Sequence, residues 1–285
     1  IHDNYIKVQE QRNQEYPFGL LGGSYGIQIE DGASNVTIYN NYVEATTHPN
    51  YGSGMALRFT SNVGLGDFIE IYNNTFVAIN ENPELGNNYY ATGMSFYSSA
   101  QSSSLKIYNN TFKTNSRIME FDNYPPQTIV IESNTFEKLI TPINYRTFYF
   151  VGSSTDLTVL NTSIINNASL DSYYFGGASI LTVKWFLDAQ AMGGASPIFG
   201  ASVNIRDRNN NLVLSSLTDS NGLVHTNLTE YVNTGGAKTF SSPYNISVTY
   251  NVETQSRIIN LNTTKTEIFT FSISGCTLQF DEAPC

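Results

Sequence analysis

Five segments of eleven residues place apolar and polar side chains in one order: Asn35–Ala45 (NVTIYNNYVEA), Phe68–Ala78 (FIEIYNNTFVA), Ser104–Thr114 (SLKIYNNTFKT), Thr128–Lys138 (TIVIESNTFEK) and Asp156–Asn166 (DLTVLNTSIIN). The opening IHDNYI aligns with IYNNYV as half of a sixth copy. Two apolar residues stand two apart, an asparagine follows three later, and another apolar residue comes two after that. In the second copy these are Ile69, Ile71, Asn74 and Phe76. A spacing of two puts side chains on one face of a strand. The step of three predicts a tight bend between two short strands, for which Asn is suited: it tolerates left-handed backbone, and its amide bonds local backbone groups.

The second apolar position recurs at Ile1, Ile38, Ile71, Ile107, Ile131 and Val159, at intervals of 24 to 37 residues. Further short strands are predicted between copies, at Gly26–Ile29, Gly54–Phe59, Gly93–Phe96 and Thr147–Val151. Strand, bend, strand, loop, strand at this period describes the coils of a parallel β-helix. Coils stack about 4.8 Å apart, so equivalent side chains lie over one another. Asn4, Asn41, Asn74, Asn110 and Asn134 are therefore expected to form one amide ladder, ended by Thr162. Tyr39, Tyr72 and Tyr108 are expected in one outward aromatic column, which stiffens the sheet or offers a surface to sugars or to another protein.

From about Ser179 the pattern changes to seven alternating apolar runs, at Ile180–Leu187, Ala201–Arg206, Leu212–Leu217, Leu223–Leu228, Tyr244–Tyr250, Arg257–Leu261 and Glu267–Ile273. Gly, Asn and Pro turns separate them, which predicts a small antiparallel, Ig-like β-sandwich. Asp207-x-Asn209-x-Asn211 has the opening spacing of a calcium loop, but Leu212 and Thr218 stand where that loop needs Gly and a bidentate Glu, so a hairpin turn is expected.

The first grammar resembles the β-helix repeats of pectate lyases, polygalacturonases, phage tailspikes and many surface proteins. That resemblance implies a right-handed parallel β-helix and no particular activity, since the fold hosts enzymes and inert scaffolds alike. The stretch Pro197-Ile-Phe-Gly-Ala201 with Thr218-Asp-Ser-Asn-Gly222 resembles the transthyretin-like domain appended to carboxypeptidases and to many secreted proteins, which implies a non-catalytic spacer or interaction module. The expected organisation is an all-β chain with a β-helix over 1–178, incomplete at its N-terminal end, a β-sandwich over 179–275, and a Cys-containing tail over 276–285.

Composition narrows the function. Charged residues make up only 13% of the 285, and the net charge is −10. Fourteen scattered Lys and Arg form no basic stripe for phosphates, which excludes nucleic acid. Acidity disfavours an anionic membrane surface, and no apolar run is long enough to span a bilayer. Cys276 and Cys285, the two cysteines, are a candidate disulfide worth roughly 2.5 kcal/mol at most. N-glycosylation sequons fall at Asn35, Asn73, Asn109, Asn161, Asn167, Asn227, Asn245 and Asn262, a count that chance nearly reaches, although Asn73 and Asn109 sit beside ladder residues and should point outward.

Catalysis finds little support in the residues. Hydrolysis of a polysaccharide needs two carboxylates about 5–10 Å apart, one with a raised pKa. Glu30, Asp31, Glu44, Glu70, Glu120, Asp122 and Glu132 are available but form no recognised motif, and they are expected to be solvated; Arg58 and Arg117 look isolated. His2, His48 and His225 accompany no nucleophile motif, and zinc spacing and phosphate-binding glycine loops are absent. The expected protein is a non-catalytic, extracellular structural protein of the cell surface without a cofactor. Its expected partners are copies of itself, joined end to end because the chain starts inside a coil, and surface glycans. A carbohydrate-binding adhesin and a polysaccharide lyase or glycoside hydrolase are the alternatives.

Overall fold

The repeat folds as its spacing demands. A computed structural model describes residues 1–9, 23–30, 33, 35–47, 53–60, 68–81, 90–97, 104–122, 128–139, 145–151, 155–171, 173–175 and 178–272. Two compact units divide it: Ile1–Val183 with Val232–Lys238, and Lys184–Tyr231 with Thr239–Cys285. All regular structure among the described residues is β.

In the first unit each coil contributes one strand to each of three parallel sheets. Strands before the Asn bend form sheet A: β3 (Val36–Tyr39), β6 (Phe68–Tyr72), β9 (Ser104–Tyr108), β12 (Thr128–Glu132) and β15 (Asp156–Leu160). Strands after it form sheet B: β1 (Tyr5–Gln9), β4 (Tyr42–Thr46), β7 (Thr75–Ile79), β10 (Thr111–Thr114), β13 (Thr135–Lys138) and β16 (Ser163–Ile165). The third segments form sheet C: β2 (Gly23–Ile29), β5 (Ser53–Phe59), β8 (Ala91–Tyr97), β11 (Arg117–Asp122), β14 (Arg146–Val151) and β17 (Tyr173–Phe175). His2 adds a single bridge to Tyr39 at the start of sheet A.

Like stands on like across these sheets. Ile38, Ile71, Ile107, Ile131 and Val159 make one inward column, and Val43, Phe76, Phe112 and Phe136 a second, with exposed Ile164 in register at its end. Phe59, Phe96, Phe121, Phe150 and Phe175 make a third, their ring centroids 4.8 to 5.2 Å apart. The ring spacing follows the interstrand distance, so register and packing reinforce each other. Each buried Phe contributes roughly 1.5–3 kcal/mol of transfer free energy. Gly93 stands where two coils approach closely: a Cβ there would lie 2.9 Å from Ile118 O and 3.2 Å from the Phe112 ring.

The second unit pairs β20 (Ser202–Arg206) with β21 (Leu212–Leu217) and β24 (Tyr244–Tyr250), and β24 with β25 (Glu253–Ile259), all antiparallel. The unit's other strands are β26 (Lys265–Phe271) and the parts of β18 (Ile180–Gly193) and β22 (Leu223–Thr234) that lie within it. β18 alternates half-buried and buried residues along its length, and Leu187, Ala189, Ala191, Val203, Ile205, Ile246, Val248 and Phe269 are buried. One strand departs from the antiparallel expectation, since β26 runs parallel to β18 from Leu187↔Lys265 to Gly193↔Phe271. The two segments that stood out in the sequence meet here. The Thr218 hydroxyl accepts from Ala201 N at 2.9 Å and donates to Ile198 O at 2.7 Å. Asp219 Oδ1 accepts from Asn221 N and Leu223 N. Gly222 has φ +67°, and a Cβ on it would lie 2.4 Å from Ala191 O, so only glycine fits.

Candidate functional site

The five expected ladder asparagines lie in one column. Asn41 donates from N and Nδ2 to Asn74 Oδ1, both at 2.9 Å. Asn74 does the same to Asn110 at 3.0 Å, and Asn110 to Asn134 at 2.9 and 3.2 Å. Asn4 starts the column with bonds of 3.1 and 3.0 Å to Asn41. The same Nδ2 groups also reach backbone carbonyls, as Asn74 reaches Ile38 O and Tyr72 O. Thr162 follows Asn134, and its hydroxyl is buried without a partner.

The bend divides its work differently from the sequence reading, which gave one asparagine both tasks. The left-handed residue is the one before the ladder: Asp3, Asn40, Asn73, Asn109, Ser133 and Asn161 have φ between 51° and 56°. The ladder residue keeps ordinary backbone and turns its amide inward. A second polar column, missed in the sequence, lies at the next corner. There Thr47 Oγ1 bonds Asn80 Oδ1 at 3.2 Å, and Asn80 N donates to Asn115 Oδ1 at 2.8 Å. Its signal was an Asn five or six residues past Asn110 and Asn74.

Tyr39, Tyr72 and Tyr108 stack at 5.2 and 5.1 Å with nearly parallel planes, and His2 stacks on Tyr39 at 4.8 Å. Their faces are turned to one another, so the column presents edges outward. Tyr108 OH donates to Glu70 at 2.9 Å, and with burial this pushes its pKa up to about 12.

The expectation of solvated carboxylates and isolated arginines is overturned on sheets B and C. Glu44 is buried, with Lys7 at 2.6 Å and the Tyr42 hydroxyl at 3.0 Å. Glu120 is 3% exposed. Arg117 Nη1 donates to its Oε1 at 2.9 Å, and Thr92 Oγ1 donates to its Oε2 at 3.1 Å. The Arg117 guanidinium lies 3.8 Å from the centroids of both Tyr90 and Tyr149. Burial pushes the Glu120 carboxyl above the usual range despite Arg117, and burial likewise raises half-buried Asp122. Arg58 stacks over Tyr25 at 4.4 Å. Spacing in sequence could not reveal these partnerships, because they join different coils or depend on burial.

The remaining candidates are dispersed. Seven sequon asparagines, at 35, 73, 109, 167, 227, 245 and 262, are exposed, and Asn161 is half-buried with Nδ2 on Ser133 Oγ. Asp207 Oδ1 accepts from Asn209 N and Asn211 N, both at 2.9 Å, which makes that segment a turn. His2 pairs with Asp3, and His225 with Asp188 at 2.6 Å. No group of three or more His, Cys, Asp or Glu suited to a metal occurs among the described residues. Asp31, His48, Cys276 and Cys285 lie outside the described residues.

No family model and no curated protein matches the chain. Among solved structures, a match is to "The Bacillus anthracis TIE protein", 13% identical with a TM-score of 0.23. It covers 35% of this chain and 19% of that protein, so the chain spans about a fifth of its length. The fold rests on the strand register alone: an all-β chain with a parallel β-helix and an antiparallel sandwich.

Proposed function

We propose that the protein is a non-catalytic structural protein of the cell surface, an envelope, surface-layer or filament subunit. Its β-helix serves as a rigid spacer, and its second unit as a transthyretin-like interaction module. The observation that carries this reading is the unbroken amide column from Asn4 to Asn134, with its parallel ring columns. Polar groups that an enzyme would turn toward a substrate are spent here on joining coil to coil. Glu120 fits the same pattern, since both its oxygens are held and its arginine is enclosed by two rings.

An extracellular location draws support from the exposure of seven sequon asparagines, which leaves room for glycans on the folded chain. We further propose that Cys276 and Cys285 form a disulfide and that copies associate end to end. Electron microscopy and light scattering of native material test the assembly, with ordered arrays or filaments expected. Monomers at every concentration would sink it. Intact mass under reducing and non-reducing conditions tests the glycans and the disulfide, and a bare polypeptide mass rejects the glycoprotein.

A further inference from the structure

The four-stranded sheet of the second unit ends in a strand with an open side. Its order is β21–β20–β24–β25, and among the described residues no strand pairs with the far side of β21. Alternate residues of an edge strand turn both N–H and C=O outward, so such a strand is a template for another. Native sheets commonly blunt an edge with charged side chains. The unit's other edges do so: β25 carries Glu253 and Arg257, and β26 carries Lys265 and Glu267. β21, with the sequence LVLSSL, carries no charge, and its Leu212, Val213 and Leu217 are 52%, 44% and 64% exposed. Exposed Phe199 adds to this apolar surface, since it adjoins Gly200, whose N–H bonds Thr218 O just past the strand. The one bulge, between Ile205 and Arg206, falls at the other end and leaves Leu214–Leu217 in regular register with Ser202–Ile205.

We propose that β21 pairs with β21 of a second copy of this chain, antiparallel across a twofold axis at Ser215, which joins two four-stranded sheets into one. An axis perpendicular to the sheet keeps each face on its own side, so residues of one face meet residues of the same face. With Ser215 opposite itself, Leu214 meets Ser216 of the copy, and Leu217 meets Val213 of the copy. This register covers exposed apolar side chains twice over and sets no charge against a charge. On the outer face Ser215 continues a row of Asn204, Ser247 and Ser256, and Leu217 continues one of Ser202, Thr249 and Thr254. Both rows are uncharged, so two copies of a chain with net charge −10 meet here without direct repulsion. A charged peptide finds no opposite charge on the strand, which favours the equally uncharged copy as its occupant. A strand of six residues spans about 20 Å, so the contact is small and the dimer is expected to be weak. This pairing is separate from end-to-end joining, and neither contact depends on the other.

The test is a cysteine trap in the whole chain, with Cys276 and Cys285 changed to serine. Across an antiparallel pair the Cα atoms of opposed residues stand about 4.5–5.5 Å apart, within the reach of a disulfide. Ser215→Cys is therefore expected to give, under mild oxidation, a covalent dimer that reductant dissolves. Ser256→Cys, exposed on the same face but on the opposite edge strand, is the control and should stay monomeric. Sedimentation of the unaltered chain at rising concentration should show a monomer–dimer equilibrium. Ser215→Lys sets like charges opposite each other and should raise the dissociation constant at least tenfold. Ser215 is exposed, so both of its variants should keep the melting temperature of the parent chain. Three results would each overturn the proposal: a monomer at every concentration, cross-linking by Ser256→Cys as ready as by Ser215→Cys, or a dimer that Ser215→Lys leaves intact. The last would assign association to end-to-end joining instead.

Discussion

Asn110 shows how much one side chain can carry. Its oxygen takes two hydrogen bonds from Asn74, and its nitrogen reaches Asn134, Ile71 O and Tyr108 O. Asn110→Ala should leave the buried Asn74 N–H unpaired and take a donor from Ile71 O and from Tyr108 O, costing roughly 3 kcal/mol in chemical denaturation. Exposed Asn4 offers the control, since Asn4→Ala should cost under about 1 kcal/mol. The residue before the ladder answers to backbone geometry instead. With Asn73 at φ 55°, Asn73→Gly should be nearly neutral and Asn73→Val should cost about 1–2 kcal/mol, read from the same melts. The ladder positions were legible in the sequence because register repeats a residue type at a fixed place. The split between a left-handed residue and an amide donor was not, because NN in three copies supplies the same letter for both tasks.

Among the elements, sheets A and B were read from apolar spacing, whereas the polar side of sheet C was not. Arg117 and Glu120 look like surface residues in RIMEFD, and only their burial beneath neighbouring groups gives them a different character. That character has a pH signature. The folded-state pKa of Glu120 is raised, so between the unfolded value near 4.3 and the folded one the native protein holds the extra proton. Stability from this group is therefore present in acid and is lost as pH rises through that window. Glu120→Gln cannot titrate, so its melting temperature should track the wild type at low pH and exceed it increasingly above. A constant gap at all pH values would refute the assignment. At the end of the amide column, Thr162 leaves a buried hydroxyl unpaired, and Thr162→Asn should raise stability by about 1 kcal/mol by extending the ladder one rung.

For the molecule as a whole, the identical register of successive coils makes each coil an interchangeable unit. Excising 71–106 joins Glu70 to Ile107 and leaves every remaining ladder and ring column in phase. The shortened chain should keep its β circular dichroism and melt cooperatively. An unfolded product would show that the coils are not equivalent. The antiparallel unit was legible from its seven runs, but the parallel placement of β26 beside β18 was not, since alternation reports which face a residue takes and not which way its neighbour runs.

The amide column also has a direction. Within the ladder each asparagine donates to the amide oxygen of the coil that follows and accepts from the coil before, so the side-chain carbonyl dipoles align and polarise one another. The column's two ends therefore differ in kind: a group placed against the Asn4 side-chain oxygen has to donate, whereas one placed beyond Asn134, as at Thr162, has to accept.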